Sequence, residues 1–362
     1  MEKMVYQLKE RKEKVNLPAN LGFGQIFTDH VFEMDYDSKR GWNNPIIKPL
    51  EHLSLHPATM FIHYGQAVFE GLKAFKTNDG SVVIFRPERH FKRLNNSSRR
   101  LCIPEIDIDF VLSALKELVW IDREWIPTKK GESLYIRPFV FANDATLGVR
   151  PSTSYKLIIL LSPVGAYYPE GFKPVKILAT DEYVRAVRKG IGECKTPGNY
   201  AASLYAGEYA KHQGFTQVLW MDGVELKYIE EVGTMNIFII FKNEVATPKL
   251  TGSILPGVTR ESVIQILKDW KMKVTERLIP MEEVVAEYKK GNVLGVFGTG
   301  TAAIISEVGL LKYKDTVMTF KSEQSNDLAL KLFDKLTSIH YGLDEDKYNW
   351  LTHVTKKEVE AA

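Results

Sequence analysis

The sequence predicts an α+β protein of two domains, and three observations carry that expectation. Its 362 residues exceed the usual size of one domain. Its strand-forming segments come in clusters instead of alternating with helices as βαβ units do. A tract without periodicity, "GAYYPEGFKPV" at 165–175, carries two glycines and two prolines between those clusters. The division this suggests is a first domain over 1–163, a connecting loop over 164–175 and a second domain over 176–362.

In the first domain "SVVIFRP" (81–87), "ESLYIRPFVFAN" (132–143) and "YKLIILLSPV" (155–164) read as strands, being rich in β-branched and aromatic residues. Between them, 107–125 has apolar residues at helical spacing and stops before Pro127. Beyond the connecting loop, 202–214 reads as a short helix with Gly214 just past its end. Strands follow over 216–223 and 234–241, joined by a turn. The helix over 259–270 takes Thr259 as its N-cap and Glu261 in its first turn. A last helix runs over 325–342 and closes on Gly342.

Composition narrows the class. With 44% apolar and 11% aromatic residues the chain can bury sizeable cores. The net charge is only +3, with acids and bases interspersed, which argues against a nucleic-acid partner. The one locally basic stretch, "FKRLNNSSRR" at 91–100, reads as a solvated helix. Two cysteines, Cys102 and Cys194, with no Cys-x-x-Cys spacing, suit a reducing cytoplasm. The charged N-terminus lacks the apolar core of a secretory signal, and no apolar run reaches the length of a membrane span. The expectation is a cytoplasmic protein without membrane or nucleic-acid partners.

Several chemistries lose support from missing motifs: there is no G-x-G-x-x-G opening a helix, no P-loop, no H-E-x-x-H and no G-x-S-x-G. His52 and His56 are four apart, but Pro57 follows and the segment reads as extended, so no metal is expected. What remains is a set of candidate anion cradles. "ILPGVTRES" (254–262) puts Gly257, Val258 and Thr259 at a helix start, where free N–H groups and the positive dipole end favour a phosphate. "VFGTGTAA" (296–303) alternates glycines with Thr299 and Thr301, a pattern that can form a backbone nest. Arg86 is a possible clamp. "YIEEVGTMNIF" (228–238) brings Glu230 and Glu231 to the entry of an apolar strand, where a buried carboxylate can pair with a protonated heterocyclic nitrogen. Finally "GECKTPGNYAAS" (192–203) sets Lys195 in a small-residue turn. A lysine, a phosphate cradle and a buried carboxylate are the three groups that pyridoxal phosphate needs, though from composition alone this is one hypothesis among several.

The sequence also resembles the branched-chain amino acid aminotransferases, pyridoxal-phosphate enzymes of fold type IV. The motifs that carry the resemblance are "GFGQIFTDH" (22–30), "IHYGQAVFEGLKAF" (62–75), "FRPERHFKRL" (85–94), "LYIRPFVFANDATLGV" (134–149) and "SPVGAYYPEG" (162–171). They continue with "KTPGNYAAS" (195–203), "EEVGTMNIF" (230–238), "ILPGVTRES" (254–262) and "FGTGTAA" (297–303). The resemblance implies a smaller N-terminal domain and a larger C-terminal domain with the lysine, and an active site at the domain interface. Lys195 matches the lysine that forms the Schiff base with pyridoxal 5'-phosphate, Tyr200 the residue on its phenolic oxygen, and Glu231 the partner of its pyridine nitrogen. Glu230 is left as a solvated turn carboxylate. Arg86, Val258, Thr259 and Thr301 match the phosphate ligands. Tyr64, Phe69, Tyr135, Arg137, Tyr167, Thr234, Met235 and Ala302 match the walls of the substrate pocket. Leu147 matches a loop residue that reaches into the other subunit's site, which implies a homodimer. Animal members carry a redox-sensitive Cys-x-x-Cys where this chain has Ala303 and Ser306, so that switch is expected to be missing.

The implied reaction is a ping-pong transfer of the amino group from leucine, isoleucine or valine to 2-oxoglutarate, with Lys195 as the base. An aromatic and apolar pocket suits the branched side chains, and Arg137 suits the extra carboxylate of glutamate. The rivals are a D-amino acid aminotransferase or aminodeoxychorismate lyase of the same fold, and a non-catalytic binder of the cofactor. The first two differ from the favoured reading in the substrate turned over, the last in showing no half-reaction with leucine.

Overall fold

The computed structural model describes residues 2–10, 15–165, 173–325 and 327–356. Tyr167 and most of the Gly- and Pro-rich tract lie outside these. Two compact units result: Met1–Pro169, Cys194–Pro197 and Thr337–Ala362 form one, and Glu170–Glu193 with Gly198–Leu336 the other. The tetrapeptide around Lys195, which the sequence reading gives to the second domain, packs with the first.

In chain order the strands of the N-terminal half are β1 (Val5–Tyr6), β2 (His30–Asp37), β3 (Gly41–Pro49), β4 (Ala67–Phe69), β5 (Leu72–Lys76), β6 (Val82–Phe85), β7 (Ser133–Ala142) and β8 (Ser154–Val164). The second unit carries β9 (Val175–Thr180), β10 (Gln217–Met221), β11 (Ile229–Val232), β12 (Met235–Phe241), β13 (Val245–Pro248), β14 (Val274–Arg277), β15 (Val293–Gly300), β16 (Ile304–Tyr313) and β17 (Thr316–Thr319). β18 (Leu351–Val354) returns to the first. The helices are α1 (Met60–Tyr64), α2 (Pro87–Arg100), α3 (Ile108–Ile121), α4 (Pro197–Ala201), α5 (Leu204–His212), α6 (Val258–Asp269), α7 (Met281–Lys289) and α8 (Leu328–His340).

The first sheet has the order β1-β3-β2-β8-β7-β5-β6-β18, with β4 also on β7. β4 and β5 pair with β7 in one register, Phe69 opposite Phe139 and Leu72 opposite Ile136. The ladder breaks between them at Glu70–Gly71. Pro138 stands across from the break: its carbonyl accepts from the Glu70 N–H at 2.7 Å, but it has no N–H to return. That explains how a proline fits an inner strand. Val68, Ile84, Phe91, Leu115 and Leu118 are fully buried in the core between this sheet and helices α2 and α3. Asp107 caps α3 by accepting from the Phe110 N–H at 3.1 Å. The helix stops at Ile121, short of the expected 125, and a 3₁₀ turn over Arg123–Trp125 follows. Asp122 is diverted there to His30, whose backbone N–H and ring Nδ1 reach its carboxylate at 3.0 and 2.7 Å.

In the second sheet the pairing β11-β10-β9-β16-β15-β12 closes because β12 also pairs with β11, with β13, β14 and β17 as extensions. The turn expected between 223 and 234 contains β11, which holds both Glu230 and Glu231. α6 begins one residue earlier than expected. Gly257 is its N-cap, and Thr259 lies inside the first turn instead of capping it. α8 ends near Gly342 as read, in the left-handed conformation at φ 66°. Among the described residues no helix is long and apolar enough to cross a membrane.

Candidate active site

The segment 192–203 is not a plain turn. Pro197 opens the one-turn helix α4, the position where a missing N–H costs nothing and a fixed φ helps. Lys195, two residues earlier, is fastened through its main chain to the first unit. Its N–H donates to Ser97 Oγ at 3.0 Å, and its carbonyl accepts from the Phe69 N–H at 3.0 Å. Thr196 Oγ1 donates to the Ala67 carbonyl at 2.7 Å. The lysine is half-buried, with Nζ 5.0 Å from the centroid of the Phe69 ring. Burial, and behind it the guanidinium of Arg93, push the amine down to about 8, while Glu70 pulls the other way.

Those two neighbours belong to a buried cluster that sequence reasoning missed. Arg93 grips the Glu70 carboxylate two-pronged, Nε to Oε1 at 2.7 Å and Nη2 to Oε2 at 2.9 Å. His90 Nδ1 and the Gly71 N–H add bonds of 2.8 and 3.1 Å to Oε2. Burial opposes ionisation of Glu70, but the Arg93 and His90 contacts outweigh it and hold the carboxyl far below the usual range. Burial keeps His90 below its ordinary value despite the carboxylate. The expected solvated helix over 91–100 is therefore two-faced: Arg93, Asn95, Ser97 and Ser98 are buried, and only Lys92, Asn96, Arg99 and Arg100 are exposed.

Three of the expected pocket residues join this group. Arg137 lies over the rings of Phe69 and Tyr135 at 4.9 and 5.3 Å and donates to Tyr135 Oη at 3.1 Å. A Cβ on Gly71 would sit 2.0 Å from Tyr135 Oη, so the ring needs glycine there. Tyr64 is instead exposed and donates from its hydroxyl to the Leu147 carbonyl. Arg86 sits apart at the start of α2, in the left-handed region at φ 49°, with its guanidinium 5.3 Å from the Trp350 ring.

The second unit holds a separate group. Glu231 is buried on β11, paired by register with Asn236 of β12. Arg185 Nη2 meets Glu231 Oε2 at 2.6 Å, and Asn236 Nδ2 donates to Oε1 at 3.1 Å and to the Leu255 carbonyl at 2.9 Å. A Cβ on Gly257 would lie 1.9 Å from Asn236 Oδ1. The glycine in "LPGVT" thus admits the side chain that orients Glu231. Glu230, expected to be solvated, is 4% exposed, accepts from Ser253 Oγ, and is raised above the ordinary carboxylate range by burial. The glycines of "FGTGTAA" form no nest. Gly298 and Gly300 lie in β15 facing Met235, whose Cε and Cγ would meet added Cβ atoms at 3.0 and 3.3 Å. Thr234 is exposed in the β11–β12 turn, and Thr301 and Ala302 follow β15 half-buried. Val258 and Thr259 occupy the first turn of α6, and Tyr200 lies half-buried in α4.

A family model, Amino-transferase class IV, matches residues 67–306, which take in Lys195, both carboxylate clusters and the α6 N-terminus. The chain belongs to the class IV aminotransferases. This aminotransferase is 52% identical to branched-chain-amino-acid aminotransferase 2 of Bacillus subtilis, over 96% of each chain. It is 42% identical to the branched-chain-amino-acid aminotransferase of Mycolicibacterium smegmatis over 93% of each. Among solved structures it resembles an Escherichia coli branched-chain amino acid aminotransferase, with a TM-score of 0.75 at 26% identity, covering 91% of this chain and all of that one. It also resembles a second solved branched-chain amino acid aminotransferase, one with pyridoxamine 5'-phosphate, with a TM-score of 0.74 at 27% identity over the same shares.

The residues of the aminotransferase fit a phosphorylated heterocycle. Gly257, the N-cap of α6, brings no side chain to the helix start, and Thr299 Oγ1 and Arg185 Nε are buried polar atoms without a hydrogen-bond partner. The residues missed by sequence reasoning are Glu70, His90, Arg93, Ser97, Arg185 and Asn236. A faint signal existed for three of them: His90, Arg93 and Ser97 recur at i, i+3 and i+7, one stripe of a helix.

Proposed function

We propose that this aminotransferase moves the amino group between leucine, isoleucine or valine and 2-oxoglutarate, using pyridoxal 5'-phosphate. The observation that carries the reading is Lys195: an amine fastened by its main chain and depressed towards neutrality by burial and cationic neighbours. The near-full-length identity to branched-chain aminotransferases supports the substrate class.

When bound, the cofactor supplies the electron sink for the substrate Cα–H bond and a covalent seat for the migrating amino group. Lys195 Nζ, once neutral, takes the proton from Cα and later returns it. Glu231, paired with Arg185 and oriented by Asn236, would hold a protonated ring nitrogen. The α6 N-terminus at Val258 and Thr259, with Thr301, serves the phosphate. Arg93 is a better placed phosphate arginine than Arg86, because it shares the Lys195 cluster while Arg86 packs on Trp350. Phe69, Tyr135 and Arg137 supply an apolar wall with one cation, suited in turn to a branched side chain and to the second carboxylate of glutamate. Tyr64, Tyr167, Thr234, Met235 and Ala302 are the further residues that the family resemblance assigns to the substrate, and Tyr200 to the cofactor. Leu147, 63% exposed beside Val149 at 82%, presents the apolar tip of a loop suited to the site of a second copy, which supports a homodimer. The cysteine usage supports a cytoplasmic setting.

The test is steady-state turnover of L-leucine with 2-oxoglutarate. Replacing Lys195 with Ala is expected to lower kcat by at least about 10³-fold, the weight of a positioned base that also acts covalently. Sustained turnover by that variant removes Lys195 from the role. Activity on D-alanine in place of L-leucine favours the D-amino acid aminotransferase reading.

A further inference from the structure

Glu70 is wholly buried, 0% exposed, yet it belongs to none of the roles above. It sits at the one break in the β4–β5 strand, opposite Pro138. At that break the ladder can offer only one bond, from the Glu70 N–H. The side chain replaces what the ladder lacks. Its carboxylate reaches across to α2, where Arg93 and His90 grip it, and it accepts from the Gly71 N–H beside it. The same two elements hold Lys195: the residue before Glu70 donates to the Lys195 carbonyl, and Ser97, one turn beyond Arg93 on α2, accepts from the Lys195 N–H. Glu70 is therefore the tie between the two supports of the lysine.

The charges point the same way. The groups facing the Lys195 amine are Arg93 and His90 from α2, Glu70 from the strand break, and Tyr135 and Arg137 from β7. Two are permanent cations and one is a carboxylate held ionised. Without Glu70 the amine would meet both guanidinium groups with only Tyr135 to offset them.

We propose that Glu70 is a positioning residue for the reaction: it locks the interrupted strand to α2 so that both hold the Lys195 main chain, and it offsets the Arg93 charge that faces the amine. The inference rests on Lys195 being the reacting amine, but its test does not need turnover. In the full-length chain freed of cofactor, trace acetylation of Lys195 across pH is followed by peptide mass spectrometry, since only the unprotonated amine reacts. Relative to the unmodified chain, Glu70→Gln is expected to lower the Lys195 midpoint by about one pH unit. Arg93→Met is expected to raise it by a similar amount. The double variant, which removes both charges together and so avoids a lone buried ion, is expected to fold and to return the midpoint towards that of the parent. A merely structural part gives no such opposed signs. Shifts of the same direction in both single variants, no shift in either, or a double variant that keeps either single shift would overturn the proposal. Should Glu70→Gln fail to fold, Arg93→Met and the double variant still decide it by the same signs. Loss of turnover in Lys195→Ala with these shifts absent would fault Glu70 alone, whereas the opposed shifts with turnover retained would fault the reading of Lys195.

Discussion

Each unit of the molecule buries a glutamate against an arginine near the residues expected to do chemistry, and the two pairs are built differently. Glu70 is gripped two-pronged by Arg93 and bonded as well to His90 and the Gly71 N–H. Glu231 meets Arg185 through one nitrogen, and Arg185 spreads that nitrogen to the Ser253 carbonyl while its Nε stays buried and unmet. In the first, the Glu70 carboxylate is saturated by the protein itself. The second keeps a buried donor unsatisfied, the mark of a site that waits for an acceptor. The two buried ion pairs thus differ in how fully the protein saturates the groups that form them.

The sharpest way to break this comparison is to truncate each carboxylate in turn. Glu70→Ala leaves Arg93 as a buried cation and is expected to cost about 3–5 kcal/mol of stability in the cofactor-free protein. Glu231→Ala removes a looser pair and is expected to cost about 1.5–3 kcal/mol. Urea midpoints of the two variants decide it, and equal or reversed losses would end the distinction.

A buried base with no partner at all extends the series. His340 stacks on Phe75 at 4.5 Å and meets the edge of Phe85 at 4.4 Å, with both ring nitrogens unpaired. Burial, then the charge of Lys73, pushes it down to about 3. The unfolded chain takes up this proton below about pH 6.5 and the folded one does not, so stability is lost as pH falls from about 6.5 towards 3. The slope from this group is at most about 1.4 kcal/mol per pH unit. His340→Leu is expected to flatten the acid limb of a Tm-against-pH curve, and an unchanged limb would show the ring is not the cause.

The smallest effect is expected at Glu230, which touches Ser253 and no closely paired cation. Burial raises its carboxyl, so the folded state binds its proton more tightly than the unfolded chain does. The stability this gives is fully present below the ordinary carboxylate range and fades as pH rises through the raised value. Glu230→Gln is expected to change the urea midpoint at neutral pH by less than about 1 kcal/mol, and towards greater stability. A large loss would place Glu230 with Glu231 among the functional carboxylates.

Much of this was legible in the sequence. The β-branched and aromatic residues of 132–143 and 155–164 mark both as strands, and β7 and β8 form there with most of their residues buried. Lys195 and the Glu230–Glu231 pair stand out in their short motifs as candidates, and the family resemblance is what assigns Lys195 and Glu231 their expected roles. The "FGTGTAA" glycines were misread because a glycine in a strand and one in a nest look alike until the facing side chain, here Met235, is known. Glu230 and Glu231 could not be told apart by burial from sequence, since β11 runs through both and buries each of its two faces.

The amino-acid pattern alone carries the α+β fold class, the clustering of strands and the absence of the commoner nucleotide and metal motifs, because those depend on local pattern and on residue type. Only the tertiary structure decided which charges meet. Glu70 and Arg93 are 23 positions apart, and Arg185 and Glu231 are 46 apart. Ion pairing depends on distance and burial in space, and neither leaves a period in the chain. The same holds for Pro197, which the sequence shows as an oddity beside the lysine and the structure shows as the first residue of a helix.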